Sequence, residues 1–228
     1  MKAILLAAGF GTRLRPLTNN IPKCLVPIKG KPLLEIWLDK LSDVGVKDFL
    51  INTHYLNDKV ESFIKKSKYK NNCKIVYEKE LLGTAGTLLS NLSFIENECI
   101  LIHADNYCED DFIDFIQSHN FRPTKTLITV MCFRAEDPSK CGIFTVNNKN
   151  IATSFFEKVK SPPSNLANGA VYILSSDFIK VLKSKYSQSI DFSLDVLPNF
   201  VNKIYCYETK KNYVDIGTPE NYKRANNF

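Results

Sequence analysis

Short apolar runs alternate along this chain with segments whose apolar residues recur at helical spacing. Residues 2–8 (KAILLAA) read as a buried strand that breaks into Gly9-Phe10-Gly11-Thr12-Arg13. Pro32–Val44 places Leu34, Trp37, Leu38 and Leu41 on one helical face, with Pro32 suited to the first turn and Gly45 as the stop. Strands follow at Asp48–Thr53, Cys73–Glu78, Cys99–Ala104 and Leu127–Phe133. Helices are expected at Asn57–Lys66, with Asn57 as N-cap, at Thr84–Leu92 and at Asp110–His119. Near-continuous apolar strands alternating with helices indicate an α/β fold with a doubly wound, mainly parallel sheet. From Ile143 the rhythm changes to strand-like pairs, Gly142–Val146, Ile151–Lys158 and Gly169–Leu174, which predict a small antiparallel lobe. Pro219-Glu220-Asn221-Tyr222 opens a last helix.

Composition narrows the class. With 228 residues, 44% of them hydrophobic, the chain can bury a sizeable core, and a single domain over residues 1–228 is expected. No apolar run approaches the length that crosses a bilayer, and the N-terminal apolar stretch is too short for a secretory signal. A cytoplasmic protein with no membrane partner is therefore expected. Seven scattered cysteines, with no Cys-x-x-Cys, argue against a disulfide framework and a structural zinc. The net charge of +6 comes from lysines spread along helices and loops, without the clustered aromatic and basic face of a nucleic-acid binder. The surplus suits an anionic small substrate.

The chemistry concentrates at the N-terminus. Gly9 and Gly11 let the backbone turn sharply and approach a ligand, and successive N–H groups in such a loop cradle an anion. Arg13, Arg15 and Lys23 follow as cations for phosphate oxygens. The loop lacks the Gly-Lys-Ser/Thr of a Walker A motif, and Leu14 stands where a dinucleotide fingerprint needs its third glycine. Pro16 disfavours a regular helix directly after the loop.

The stretch LAAGFGTRLRPLT followed by PKCLVPIKGKPLLE, across Leu6–Glu35, resembles the signature of the sugar-1-phosphate nucleotidyltransferases, the nucleotide-sugar pyrophosphorylases. The resemblance implies a Rossmann-like nucleotidyltransferase fold and substrates that are a nucleoside triphosphate and a sugar 1-phosphate. It assigns Leu6, Ala7, Ala8, Gly9, Gly11 and Thr12 to nucleotide binding, and Arg13 and Lys23 to catalysis. No hexapeptide β-helix pattern follows, so the acyltransferase domain of some relatives is not expected.

In an open α/β sheet, ligands meet the carboxyl ends of strands, and three further segments lie there. Glu78-Lys79-Glu80-Leu81-Leu82-Gly83-Thr84-Ala85-Gly86 reads on its own either as a helix N-terminus capped by Thr84 or as a surface for a flat ring edge. LLGTAG resembles the nucleobase-binding segment of this family, most closely that of its mannose and heptose 1-phosphate guanylyltransferases, which implies that Gly83, Thr84 and Gly86 contact the nucleotide. Glu78 can accept the paired N–H donors of guanine, which favours GTP. Asp105 follows an apolar strand, where a hard divalent cation is favoured over a simple turn only by the resemblance. Val214-Asp215-Ile216-Gly217-Thr218-Pro219 resembles the family's second carboxylate motif, so Asp105 and Asp215 are the implied Mg2+ ligands. In the antiparallel lobe, Lys140-Cys141-Gly142-Ile143, Phe156-Glu157-Lys158-Val159 and Asn168-Gly169-Ala170-Val171-Tyr172 resemble the sugar motifs, with Cys141, Val159 and the early Gly169 as departures. Gly142, Glu157 and Asn168 are implied to hold sugar hydroxyls and Lys158 the sugar phosphate.

The implied reaction is in-line attack of a sugar 1-phosphate oxygen on the α-phosphorus of the triphosphate, with pyrophosphate leaving. GTP with a heptose or mannose 1-phosphate, for surface polysaccharide synthesis, is the preferred pairing, on a monomer or homodimer. Cytidylyl, uridylyl or thymidylyl transfer, a non-sugar acceptor such as phosphocholine, and a non-catalytic nucleotide-sugar-binding regulator remain as alternatives.

Overall fold

Residues 1–228 are described by the computed structural model, in which the chain contacts itself as two units. The first comprises Met1–Leu81, Ile102–Phe112 and Lys211–Phe228; the second comprises Leu82–Leu101 and Ile113–Lys210. The fold is α/β with a parallel core ladder and smaller antiparallel sheets, the class expected from the pattern.

The first unit opens with β1 (Lys2–Leu6), the short hairpin β2 (Pro27–Ile28) and β3 (Lys31–Pro32), then α1 (Leu33–Asp43), β4 (Phe49–Thr53), α2 (Asn57–Lys66) and β5 (Cys73–Tyr77). After α3 (Gly83–Ser90) in the second unit, β6 (Cys99–His103) carries the chain back and β7 (Asn106–Cys108) follows. The second unit continues with α4 (Ile113–Asn120), β8 (Ile128–Arg134), β9 (Gly142–Val146), β10 (Ala152–Glu157), β11 (Leu166–Leu174), α5 (Ser176–Lys185) and β12 (Ile204–Glu208). The chain ends in the first unit with β13 (Tyr213–Asp215) and α6 (Pro219–Asn227).

In the first unit β1, β4 and β5 run parallel, with Leu6 opposite Asn52 and Asn52 opposite Val76. All five residues of β4 are buried, as a strand covered on both faces requires. Helix α1 buries Leu33, Leu34, Trp37, Leu38 and Leu41, the face that its spacing predicted. Trp37 meets Phe112 edge-on at 5.8 Å and donates its indole N–H to the Asn106 carbonyl at 2.9 Å. Helix α2 departs from expectation at its start. Leu56, in the left-handed region at φ 53°, precedes the helix, and Asn57 lies inside it. The Asn57 side chain accepts from Thr53 Oγ1 and donates to Glu61 instead of capping.

In the second unit the neighbouring strands run β10-β9-β11-β8-β12, antiparallel except for β12 beside β8. Here β11 begins at Leu166, three residues before the predicted start, and its register against β8 shifts between Asn168 and Tyr172. Tyr172, Phe178, Phe192 and Phe200 interlock beneath α5 with ring centroids 4.9–6.0 Å apart.

Candidate active site

The phosphate-type loop is held from below. Ala7 N donates to Asn52 Oδ1 at 2.7 Å, and Asn52 Nδ2 donates to Glu78 Oε1 at 2.9 Å. The ladder register explains this: Asn52 lies beside Leu6 and across from the end of β5, so one amide spans both. Glu78 is only 4% exposed. Its carboxylate serves the loop through Asn52, a role that the sequence does not show, and its carbonyl meets His54 Nδ1 at 2.8 Å.

Gly9 has open space where a Cβ would lie, whereas Gly11, at φ 63°, is enclosed. A Cβ there would come within 3.0 Å of Thr18 Cγ2 and 3.2 Å of Lys23 Cβ. Thr18 Oγ1 donates to the Gly11 carbonyl at 2.7 Å, which closes the loop against the next turn. Short 3-10 turns at Thr12–Leu14, Leu17–Asn19 and Lys23–Leu25 replace the helix that Pro16 disfavoured.

The centre of this unit is a four-residue ion cluster. Lys23 Nζ donates to Asp105 Oδ2 at 2.8 Å and to Asp215 Oδ1 at 3.0 Å, and Arg13 Nη2 lies 3.4 Å from Asp215 Oδ2. Two strand pairings assemble it. The Ala104 amide donates to the Leu6 carbonyl at 3.0 Å, which places the turn holding Asp105 beside the loop. Antiparallel β7 and β13 set Asp215 opposite Asn106, one residue beyond Asp105. Each residue of the motif at 215–219 then has a place. The Gly217 amide donates to Asp215 Oδ1 at 2.8 Å, Thr218 caps α6 and Pro219 occupies its first turn. A Cβ on Gly217 would stand 2.7 Å from Arg13 Nη2 and 2.9 Å from Asp215 Oδ1, so a larger residue there would displace the ends of these two side chains.

The Lys23 side chain is 7% exposed, against 43% for Asp105 and 45% for Asp215. Burial pulls the Lys23 ammonium down, but the two carboxylates outweigh it and hold its pKa above the ordinary lysine value. Burial pushes the Asp105 carboxyl up, and Lys23 with His103 reverses this and holds it below the ordinary range. Lys23 and Asp105 are thus both charged at neutral pH. The donor set suits a hard cation, because two carboxylate oxygens converge within 3.0 Å of one atom while both side chains remain open to water. No group of three or more His, Cys, Asp or Glu side chains is disposed to hold a metal, so the remaining positions would fall to phosphate oxygens and water.

The second unit carries the other expected residues. Gly83 sits at φ 76°, and a Cβ on it would lie 2.4 Å from the Ile190 carbonyl oxygen. That oxygen accepts from Ala85 N at 2.9 Å and Gly86 N at 3.4 Å, while Thr84 Oγ1 accepts from Phe192 N at 2.7 Å. Residues 83–86 are therefore docked on residues 190–192, a reason for these small residues independent of any nucleobase. Leu82, not Thr84, precedes the first turn of α3.

Gly142 pairs with Glu157 between β9 and β10, and a Cβ at 142 would come 2.5 Å from Glu157 Oε2. Lys158, at φ 50°, donates its amide to the Cys141 carbonyl and pairs its ammonium with Glu157 Oε1 at 3.2 Å. Asn168 spans the register shift in β11: Nδ2 donates to Tyr172 Oη at 2.8 Å and Oδ1 accepts from Ala170 N at 2.9 Å. Gly142, Glu157 and Lys158 are thus one group. Asn168 forms another with Tyr172, and Asn52, Gly217 and Tyr172 are the supports that sequence reasoning missed.

The family model described as Nucleotidyl transferase matches residues 2–228. A mannose-1-phosphate guanyltransferase of Schizosaccharomyces pombe is 30% identical over 231 residues, covering 97% of this chain and 62% of that protein. The chain thus spans less than two thirds of the length of the first such relatives. A D-glycero-alpha-D-manno-heptose 1-phosphate guanylyltransferase of Campylobacter jejuni is 28% identical and covers 97% of both chains. The crystal structure of HddC from Yersinia pseudotuberculosis complexed with GMP-PN superposes with a TM-score of 0.81 at 30% identity, over 99% of this chain and 98% of that one. The chain, matched from residue 2 to residue 228, belongs to the nucleotidyl transferase family.

Proposed function

We propose that this protein is a sugar-1-phosphate nucleotidyltransferase that joins the guanylyl group of GTP to a mannose- or heptose-type sugar 1-phosphate, releasing pyrophosphate. The observation that carries the reading is the cluster of Lys23, Arg13, Asp105 and Asp215 beside a loop of backbone N–H groups. Guanine and a mannose-type sugar are supported by the names of the Campylobacter and Schizosaccharomyces relatives and by the GMP-PN complex of HddC.

The chemistry needs no covalent intermediate. The loop from Ala8 to Thr12, anchored by the Ala7 amide on Asn52, offers its amides to the triphosphate, and the open space at Gly9 admits the close approach. Arg13, 68% exposed, is free to swing from Asp215 to the departing β- and γ-phosphates. Lys23 neutralises charge at the α-phosphorus, where the sugar phosphate oxygen attacks in line. Asp105 and Asp215 would hold Mg2+, which supplies charge neutralisation on the phosphate oxygens when bound. In the second unit Glu157 and Asn168 offer hydrogen bonds to sugar hydroxyls, and Lys158 offers a charge to the sugar phosphate. Cytoplasmic location and a role in surface polysaccharide synthesis complete the proposal.

The test is pyrophosphate release with Mg2+, crossing GTP, CTP, UTP, dTTP and ATP against hexose and heptose 1-phosphates. A signal that requires GTP and one mannose-type sugar phosphate is expected. Arg13→Ala, Lys23→Ala and Asp105→Ala should each lower turnover by roughly two to four orders of magnitude while the protein stays folded. Near-normal turnover in all three would remove the assignment, and a signal with another base would replace GTP.

A further inference from the structure

The disposition of Lys23 is not that of a side chain waiting for phosphate. Its ammonium is nearly buried and lies within 3.0 Å of one oxygen from each of the two carboxylates assigned to the metal. Arg13 adds a second cation to Asp215, so two cations balance two carboxylates with no external ion. A divalent cation bound to the same oxygens would face that ammonium at close range, where like charges in a partly dry site repel strongly. Two carboxylates left without Lys23 would repel each other in turn.

We propose that Lys23 is a built-in counter-cation, filling the point where Asp105 and Asp215 converge until phosphate arrives to take its charge. The ammonium leaves the carboxylates only when another anion replaces them, and the triphosphate supplies that anion. Free divalent metal is consequently held weakly, and metal and nucleotide enter as one complex. The same exchange delivers Lys23 to the α-phosphate at the moment the metal position opens. Arg13 makes the parallel exchange from Asp215 at the exposed end of the cluster. The inference rests on Asp105 and Asp215 being the metal ligands of the proposed function.

The test is direct binding of Mn2+ to the full chain without nucleotide, followed by electron paramagnetic resonance of the free ion, for the unaltered protein, Lys23→Met and Lys23→Gln. Both variants should bind free Mn2+ at least tenfold more tightly than the unaltered protein, and adding Asp105→Asn to either should abolish the gain. Affinity for free Mn2+ within threefold of the unaltered protein in the folded variants would overturn the proposal. So would a gain that survives Asp105→Asn. Lys23→Gln keeps a polar group in the buried position, so a folding failure of Lys23→Met leaves the test intact. Pyrophosphate release by the unaltered protein reads the function separately: release with unchanged Mn2+ affinity in the variants removes the counter-cation alone. Tightened Mn2+ binding without release under any triphosphate removes the transfer reaction and leaves the cation exchange standing.

Discussion

Gly83→Ala separates two reasons for the glycine in the LLGTAG segment. An alanine at φ 76° costs about 1–2 kcal/mol for the left-handed backbone alone. Its Cβ would also stand 2.4 Å from the Ile190 carbonyl oxygen and 2.6 Å from Ile190 Cγ2, so residue 190 must move. Moving that carbonyl weakens its bonds from Ala85 N and Gly86 N, for about another 0.5–1.5 kcal/mol. The sum is about 1.5–3.5 kcal/mol, which for a chain of this length lowers the melting temperature by roughly 3–14 °C. Gly86→Ala is the control. Its Cβ would meet Leu82 Cβ at 3.2 Å and the Ser189 carbonyl oxygen at an ordinary 3.9 Å, inside a helix where alanine is favoured by about 1 kcal/mol, so its stability should hardly change. Thermal melts of both variants, with the KM for GTP measured alongside, decide the matter. A shift below about 2 °C for Gly83→Ala, accompanied by a raised KM, would show that the glycine is kept for the nucleotide and that the docking argument is wrong.

Two further substitutions probe how the first unit is held. Asp39 is bound by Lys31, Lys68 and Tyr69; burial pushes its carboxyl up, but these partners outweigh burial and hold its pKa down to about 2, from an ordinary 3.8. A depressed carboxyl stabilises the fold above its unfolded pKa and loses that contribution as pH falls toward 2. After allowance for solvent screening, Asp39→Asn should cost about 1 kcal/mol at pH 6 in urea unfolding, and the gap should close between pH 4 and pH 2. A gap independent of pH would exclude the ion cluster as its source. Trp37→Ala removes a side chain that is 1% exposed together with its hydrogen bond to the Asn106 carbonyl, and should cost about 3–5 kcal/mol. Trp37→Phe should recover most of that loss, and equal losses in urea unfolding for the two variants would contradict the packing argument.

What the sequence makes legible here is local. The first strand, the broken loop after it and the Trp37 face of α1 follow from patterns a few residues long, and the structure contains them, although the strand ends at Leu6 and gives Ala7 and Ala8 to the loop. The N-terminus of α2 was misread because Asn57 is a good cap by type, while the chain uses the strained Leu56 there and turns Asn57 toward Thr53 and Glu61. Helix α5 was passed over although Ser175 caps it through Phe178 N at 3.2 Å, a signal present in the sequence SSDFIKVLKS. The resemblance singled out Asp105 and Asp215, but their meeting depends on the pairing of β7 with β13, two three-residue strands too short to announce themselves. The support of Glu78 to Asn52 was invisible for a similar reason: it needs the register of three strands, and no spacing within one segment encodes that.

The distribution of the chemistry between the two units has a consequence for substrate choice. Arg13, Lys23, Asp105 and Asp215 all belong to the first unit, and the contacts that fix them, from Leu6, Asn106 and Gly217, belong to it as well. Their mutual ion pairs are thus made within that unit. Gly142, Glu157, Lys158 and Asn168 lie wholly in the second unit, on strands whose irregularities (the strained Lys158 and the shifted register after Asn168) are local to them. Phosphoryl transfer depends on accurate placement of a few charges, whereas sugar recognition depends on which hydroxyls find partners. A chain built this way can alter the residues around Glu157 and Asn168, as Cys141 and Val159 already depart from the family pattern, while the charges proposed to act on phosphorus stay where they are.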